Sequence, residues 1–357
     1  MTTSSYKPFR VVGLALDPIH VGTGGARLGR VDLTIVRDPV TRVPKIPGSS
    51  LAGVYRSYAA MQFEEQRANS NPSRAKPYFP DCVGQGQPDR QGQGGHCGQA
   101  DCPICVTFGF ARGQGGGFAG LASFTDAHVL LFPVATREGP VWVTSPGALR
   151  IVGIDCKIDD EKKIYRKNGQ GASLNLGWLL LPVEQLSISD LEPRLRDLRI
   201  PDEIRNRAAV LSDKLFGHVV NSNLEVRTSV AIDPSTGAAE EGALFSFEAL
   251  PRTTVLVWEV ICRNPQHFKP GGQAISAQLG GKRLADADSV FEVVKTAHPY
   301  LEHLGIGGMG TRGMGRLKVV YAGDGAAAGG ECQVQTAQEG DATHAAQNRP
   351  GPPQQEA

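Results

Sequence analysis

This chain of 357 residues has no apolar run of about 18 residues, so it offers no helix able to cross a bilayer. Its opening residues, Met-Thr-Thr-Ser-Ser-Tyr-Lys, lack the apolar stretch of a signal peptide, and the expected location is cytoplasmic. Net charge is nearly absent: 37 Lys and Arg stand against 36 Asp and Glu, a formal +1. Overall basicity is thereby excluded as a source of nucleic-acid affinity, and only a local patch can supply it. No Gly-Lys-Ser or Gly-Lys-Thr closes the glycine loop after His20, which excludes a Walker loop, and the dinucleotide fingerprint spacing is missing too. The seven cysteines are odd in number and belong to a reducing compartment, which excludes a disulfide framework. Strict alternation of strand and helix is also missing, so the fold class is α+β.

What is present concentrates between His20 and Arg56. Gly22, Gly24, Gly25 and Gly29 allow a ligand close to the main chain. Residues 31–36 alternate as a short strand, and Asp38-Pro39 starts a turn. Pro47-Gly48-Ser49-Ser50 reads as a helix entry with a serine as N-cap, and free amides at such an entry bind phosphate. Residues 1–60 carry eight Lys/Arg (Lys7, Arg10, Arg27, Arg30, Arg37, Arg42, Lys45, Arg56) against Asp17, Asp32 and Asp38, a local excess of +5. On the residues alone, Asp32 reads as a turn or ion-pair residue, paired with Arg30 or Arg37.

Along the chain, residues 8–20 alternate as a strand and 50–66 form an amphipathic helix with Leu51, Val54, Tyr55, Tyr58 and Met61 inward. Strands are expected at 121–134, 141–143, 242–250, 254–262 and 315–321, helical pieces over 186–211, and a helix over 290–304. Residues 150–180 read as a charged, mobile insertion. From 322 the composition shifts to Gly, Ala, Gln and Pro with a net charge of −4, which reads as a disordered tail behind a folded part of +5.

Four cysteines crowd into residues 82–105. Cys97-x4-Cys102-x2-Cys105 supplies three thiols and one tight knuckle, with His96 or Cys82 as the fourth ligand. A glycine- and glutamine-rich loop buries little apolar surface, so a structural zinc supplies the ordering energy it lacks. His20, Asp126 and His128 read as structural, with His20 the one residue placed for a second acid/base role.

The run from Gly29 through Asp32 and Arg37 to Pro47-Gly48-Ser49-Ser50 resembles the N-terminal signature of the RAMP superfamily, within it the backbone subunit of type III CRISPR effector complexes. Stretches 139–150, 211–216 with Arg227, and 240–251 are most similar to the type III-B (Cmr) backbone subunit, and the glycine-rich 304–316 resembles the loop that closes these proteins. The cysteine cluster is type III-A-like. The resemblance implies a ferredoxin-like (modified RNA-recognition-motif) core over 1–321, with a zinc-binding lid insertion at 67–118 and a thumb hairpin at 150–180. It implies Asp32 as the catalytic residue of a divalent-metal-dependent endoribonuclease using Mg²⁺ or Mn²⁺. Guide contacts would fall on Lys45, Ser49, Ser50, Arg56, Gly307, Gly308, Thr311 and Arg312. The implied partners are crRNA, single-stranded target RNA, further copies of the chain in a filament and other effector subunits. Cuts would fall at intervals of about six nucleotides, one per copy in a regular head-to-tail array. Rival readings are a non-catalytic crRNA scaffold, a RAMP endonuclease processing precursor crRNA through His20, and a zinc-stabilised RNA-binding module unrelated to CRISPR.

Overall fold

The computed structural model describes residues 4–24, 31–70, 77–84, 95–113, 116–167, 173–185, 191–240, 243–324 and 330–332. Gly25, Arg27, Gly29, Arg30 and most of the 322–357 segment lie outside the described residues.

In chain order the elements that frame the site are β1 (Tyr6–Ala15), α1 (Gly48–Ser70), α2 (Pro103–Phe108), β2 (Ala127–Thr136), β3 (Gly139–Thr144), β4 (Ala208–Val210) and α3 (Asp213–Ser222). They continue with β5 (Glu225–Ser229), β6 (Phe245–Ala249), β7 (Val255–Arg263), α4 (Ala287–Lys295), α5 (His298–His303) and β8 (Leu317–Asp324). One 11-stranded mixed sheet dominates. From edge to edge it runs Ser173–Leu176, Leu179–Gln185, Ile164–Arg166, β4, β3, β2, β7, β1, β8. β1 is antiparallel to both β7 and β8, and β7 is antiparallel to β2. The outcome is the α+β class expected.

The period-2 alternation of β1 buries both faces. Val11 joins an apolar cluster with Leu51, Tyr55 and Phe63 of α1 and Val290 and Val294 of α4, where Phe9 stacks on Phe291 at 4.0 Å. Val12 joins a second cluster with Leu149, Ile154, Tyr165, Leu191 and Leu195. Each fully buried Val or Leu contributes about 1.5–3 kcal/mol, which makes the doubly covered sheet the rigid part of the molecule. A third, small cluster joins Phe247, Ala249 and Met314, with Leu33, Phe245 and Met309 against them.

Several elements differ from the sequence expectation, for local reasons. β1 ends at Ala15, because Pro18 cannot donate to a ladder and Leu16 N turns to Arg316 O at 2.9 Å. The strand expected over 121–134 is two, Ala122–Phe124 and β2, broken where Asp126 leaves the sheet to bind α1. The 290–304 helix divides into α4 and α5 just before Pro299. Residues 31–36 form no continuous strand: Leu33 bridges Phe247 while Ile35 bridges Gly22, so no two rungs share a partner. The described part of 150–180 is not a loose insertion, since Ile154, Tyr165, Leu174 and Leu176 are buried. β8 runs to Asp324, beyond the start of the expected tail, and Gly330–Cys332 pairs with Ile154–Cys156. No helix among the described residues is long and apolar enough to cross a membrane.

Candidate nucleic-acid interface and metal centre

Asp32 lies exposed beside β6, to which the chain at Leu33 is bridged in parallel. Its Oδ2 accepts the Ser246 amide at 2.7 Å and the Ser246 hydroxyl at 2.9 Å. The Asp32 amide in turn donates to Ser246 Oγ at 3.3 Å. The Ser246 amide, then its hydroxyl, hold the carboxyl below the usual range, so Asp32 is an anion with one oxygen committed. Oδ1 has no partner among the described residues. Arg37 does not pair with Asp32. Its guanidinium is spent on Glu248 at 2.8 Å and Asn221 at 2.8 Å.

The C-terminal glycine loop meets this region from the other end of the chain. Gly308 N donates to His20 O at 2.8 Å, and buried His20 donates through Nδ1 to Glu248 O at 2.6 Å. Gly307 sits at φ +91, and a Cβ there would fall 2.3 Å from His20 O. Thr311 and Arg312 are exposed, with Arg312 Nη1 donating to Ser229 Oγ at 3.3 Å and its guanidinium 5.6 Å from the Phe245 ring. Ser229 faces Phe245 across the β5–β6 ladder, so Arg312 sits one residue along β6 from the serine that holds Asp32. The small third cluster lies beneath both and fixes the hairpin to the glycine loop. Asp32, Gly307, Gly308, Thr311 and Arg312 are thus brought into one neighbourhood.

The helix entry is a separate place. Gly48 N donates to Asp126 Oδ1 at 2.8 Å, so a distant carboxylate, not a serine, takes the first helical amide. Lys45 Nζ lies 2.7 Å from Asp126 Oδ2 and 3.7 Å from Asp38 Oδ2, which neutralises its charge. Ser49 is exposed and Ser50 half-buried. Among the described basic residues of the first 60, Lys7, Arg10, Arg37 and Lys45 are each paired with a carboxylate. Lys7 pairs with Asp288 and Asp324 and Arg10 with Glu259, while Arg42 stays exposed.

Arg56 is the clearest departure from a guide contact. Its guanidinium is directed into the protein, with Nε on Cys82 O at 2.6 Å and Nη1 on Gly109 O at 2.9 Å. Burial lowers its pKa, and the four nearby thiols oppose that shift.

Those thiols are Cys82, Cys97, Cys102 and Cys105, whose sulfurs all lie within 4.8 Å of one another. The Sγ separations are 3.6 Å (Cys82–Cys97), 3.8 Å (Cys82–Cys102) and 3.6 Å (Cys97–Cys105). Four sulfurs at about 2.3 Å from a central ion form a tetrahedron with edges of about 3.8 Å, so the group fits a metal site. Cys102 caps α2, and Cys105 N donates to its sulfur at 3.4 Å, the knuckle the spacing implies. His96 is not one of the group. Burial, then Arg56, lowers its pKa to about 4, so it is neutral beside the cluster.

Sequence reasoning missed Ser246 and Glu248, although both lie in the 240–251 stretch that carried part of the resemblance. No local pattern links them to Asp32 and Arg37, from which they are 214 and 211 residues distant.

The RAMP superfamily model matches residues 14–318. The chain is 25 % identical over 295 residues to the CRISPR system Cmr endoribonuclease Cmr4 of Pyrococcus furiosus, covering 76 % of this chain and 87 % of that protein. Its fold is similar to a chain of the type III-B Cmr-beta complex bound to cognate target RNA, with a TM-score of 0.55 and 18 % identity over 89 % of this chain and 99 % of that one. It is similar also to oligomeric Cmr4 from Pyrococcus furiosus, with a TM-score of 0.52 and 20 % identity over 90 % and 99 % of the two chains.

Proposed function

The chain belongs to the RAMP superfamily, and from that membership we propose that it is a crRNA-binding backbone subunit of a type III-B CRISPR effector complex that cleaves complementary target RNA. The observation that carries the reading is Asp32: an exposed carboxylate held through one oxygen by Ser246, in a chain related along most of its length to a Cmr endoribonuclease.

In the proposed reaction the 2′-hydroxyl oxygen of the target attacks the adjacent phosphorus and the bond to the 5′-oxygen breaks, leaving a 2′,3′-cyclic phosphate and a 5′-hydroxyl whose proton comes from water. Asp32 Oδ1 accepts the hydroxyl proton or orients that hydroxyl, while Ser246 keeps the carboxylate from turning. A bound Mg²⁺ or Mn²⁺ would supply charge neutralisation at the phosphate, and the free Asp32 oxygen suits it. A single carboxylate is a small apparatus, so most of the rate comes from holding the RNA in line. Arg312 and Thr311 contact the RNA backbone beside Asp32, and Gly307 and Gly308 shape the loop that presents them. Ser49 and Ser50 remain the guide contacts at the start of α1, with Lys45 fixing that start through Asp126.

The connection β1-α1-β2-β7-α4-β8 and the strand order β8-β1-β7-β2 support a ferredoxin-like core. The hairpin of Ser173–Leu176 and Leu179–Gln185 carries Trp178, 79 % exposed at its tip, which supports a thumb that displaces a base by an aromatic wedge. Zinc is the metal that a four-thiolate, tetrahedral set fits, with Cys82, Cys97, Cys102 and Cys105 as ligands. Copies stack head to tail on the guide with the other effector subunits.

The test reconstitutes the guide complex with labelled complementary RNA and Mg²⁺ or Mn²⁺, comparing wild type with Asp32→Ala. The expected result is regularly spaced cuts that vanish in the variant while target binding persists. Equal cutting by both proteins, or none by either, would assign the chain to the scaffold role.

A further inference from the structure

The Arg56 guanidinium is in a costly place. A buried cation is tolerated where it is paired and fully hydrogen-bonded. Arg56 uses Nε and Nη1 on two carbonyls, but its Nη2 is buried with no hydrogen-bond partner among the described residues. No carboxylate pairs with it among the described residues. The two carbonyls are not arbitrary ones. One belongs to Cys82 itself. The other belongs to Gly109, whose amide caps the α2 helix by donating to Cys105 O at 2.9 Å. Arg56 thus links the segment carrying the first thiol to the helix that Cys102 caps and that carries Cys105.

A divalent ion bound by four thiolates is a buried group of net charge −2. The four protons leave to solvent when the thiolates form. That dianion is the counter-charge the guanidinium lacks among the described residues, and the guanidinium is a cation placed to offset the dianion. We infer that Arg56 is an outer-sphere positioning residue of the four-cysteine metal centre, offsetting its negative charge from helix α1, and not an RNA contact. The inference rests on reading the cysteines as a metal site and is independent of the cleavage proposal. Because coupling is reciprocal, removing the charge weakens metal binding as much as removing the metal destabilises a buried Arg56.

The test uses the full chain, with Co²⁺ as the spectroscopic probe and Zn²⁺ as competitor, in wild type, Arg56→Lys and Arg56→Gln. Lys keeps the charge, whereas Gln keeps a donor without it. The expected result is a loss of about 10- to 100-fold in Co²⁺ affinity for Gln, as is typical of outer-sphere partners, with Lys retaining most of it. The metal-loaded variants should melt cooperatively and bind guide RNA as wild type does. Equal metal affinity in all three, or equal loss in Lys and Gln, would overturn the charge role. Guide binding lost in metal-saturated Gln at unchanged metal affinity would return Arg56 to the RNA interface. A wild-type chain that takes up no Co²⁺ would remove the centre itself, and the inference with it.

Discussion

Asp32 and Ser246 show how one side chain sets the chemistry of another. With Oδ2 tied by an amide and a hydroxyl, the carboxylate presents one oxygen in a fixed direction. Ser246→Ala removes the hydroxyl and leaves the amide. The Asp32 pKa should therefore rise part of the way from its depressed value toward about 3.9, as followed by NMR titration. Both proteins stay ionised at neutral pH, so the cleavage defect must be one of orientation. A loss of about 10- to 100-fold is expected, constant across roughly pH 6 to 8. Unchanged cleavage, or an unmoved pKa, would show that the serine does not hold Asp32. Asp32 stands out in the sequence only through the motif that carries the family resemblance. Its clamp does not, because hydrogen-bond partners from opposite halves of the chain leave no spacing to read. The inward turn of Arg56 is illegible for a related reason, since a basic residue in a helix looks the same in sequence whether it faces water or backbone carbonyls of the interior.

Helix α1 has its start held from outside. Gly48 must be glycine because a Cβ would fall 2.5 Å from Phe124 O, and its amide is bound by Asp126, itself 2.7 Å from Lys45. Burial raises the Asp126 pKa, but Lys45 and the Gly48 amide outweigh it and hold the group below its usual value. A depressed carboxyl stabilises the fold above its unfolded pKa and loses that contribution as pH falls through the folded value. Lys45 is raised, chiefly by Asp126, so its share is lost only as pH rises through its folded pKa, above about 10.4. Asp126→Ala should cost about 1–2 kcal/mol in urea unfolding at pH 7, the range of a lost helix cap. That difference should shrink as pH falls below the ordinary aspartate value of about 3.9 and through the lower folded value, where the wild-type carboxyl becomes neutral too. A cost that persists at low pH would assign the effect to packing. The helix and most strands of this core follow the apolar periodicity. The break at Asp126 does not, because a distant helix end recruits the residue out of its strand.

At the scale of the whole molecule, the first and last long strands of the described fold close on each other, and the candidate site stands at the seam. β1 pairs with β8, Asp17 binds Arg316 through both carboxylate oxygens, Gly315 N donates to Pro18 O, and the glycine loop rests on His20. Sequence could flag both glycine-rich ends, but it could not say that they touch or which glycines serve the contact. The six glycines from 305 to 315 divide by what a side chain would meet. At Gly307 a Cβ meets His20 O at 2.3 Å with φ +91, while at Gly310 nothing lies within 4 Å. Loop glycines that serve the seam should therefore behave unlike those that merely face outward. Gly307→Ala must push the loop from His20, disturbing the Glu248 strand that also orders Arg37 and the Asp32 segment. It should cost about 2 kcal/mol or more, whereas Gly310→Ala should stay within about 0.5 kcal/mol of wild type. Cleavage measured on the same pair separates the two roles of the loop. If the seam holds the site, Gly307→Ala loses activity together with stability and Gly310→Ala keeps both. Equal stability of the two variants would mean that the ends are joined by β1 and β8 alone, with the glycine loop free to follow the RNA.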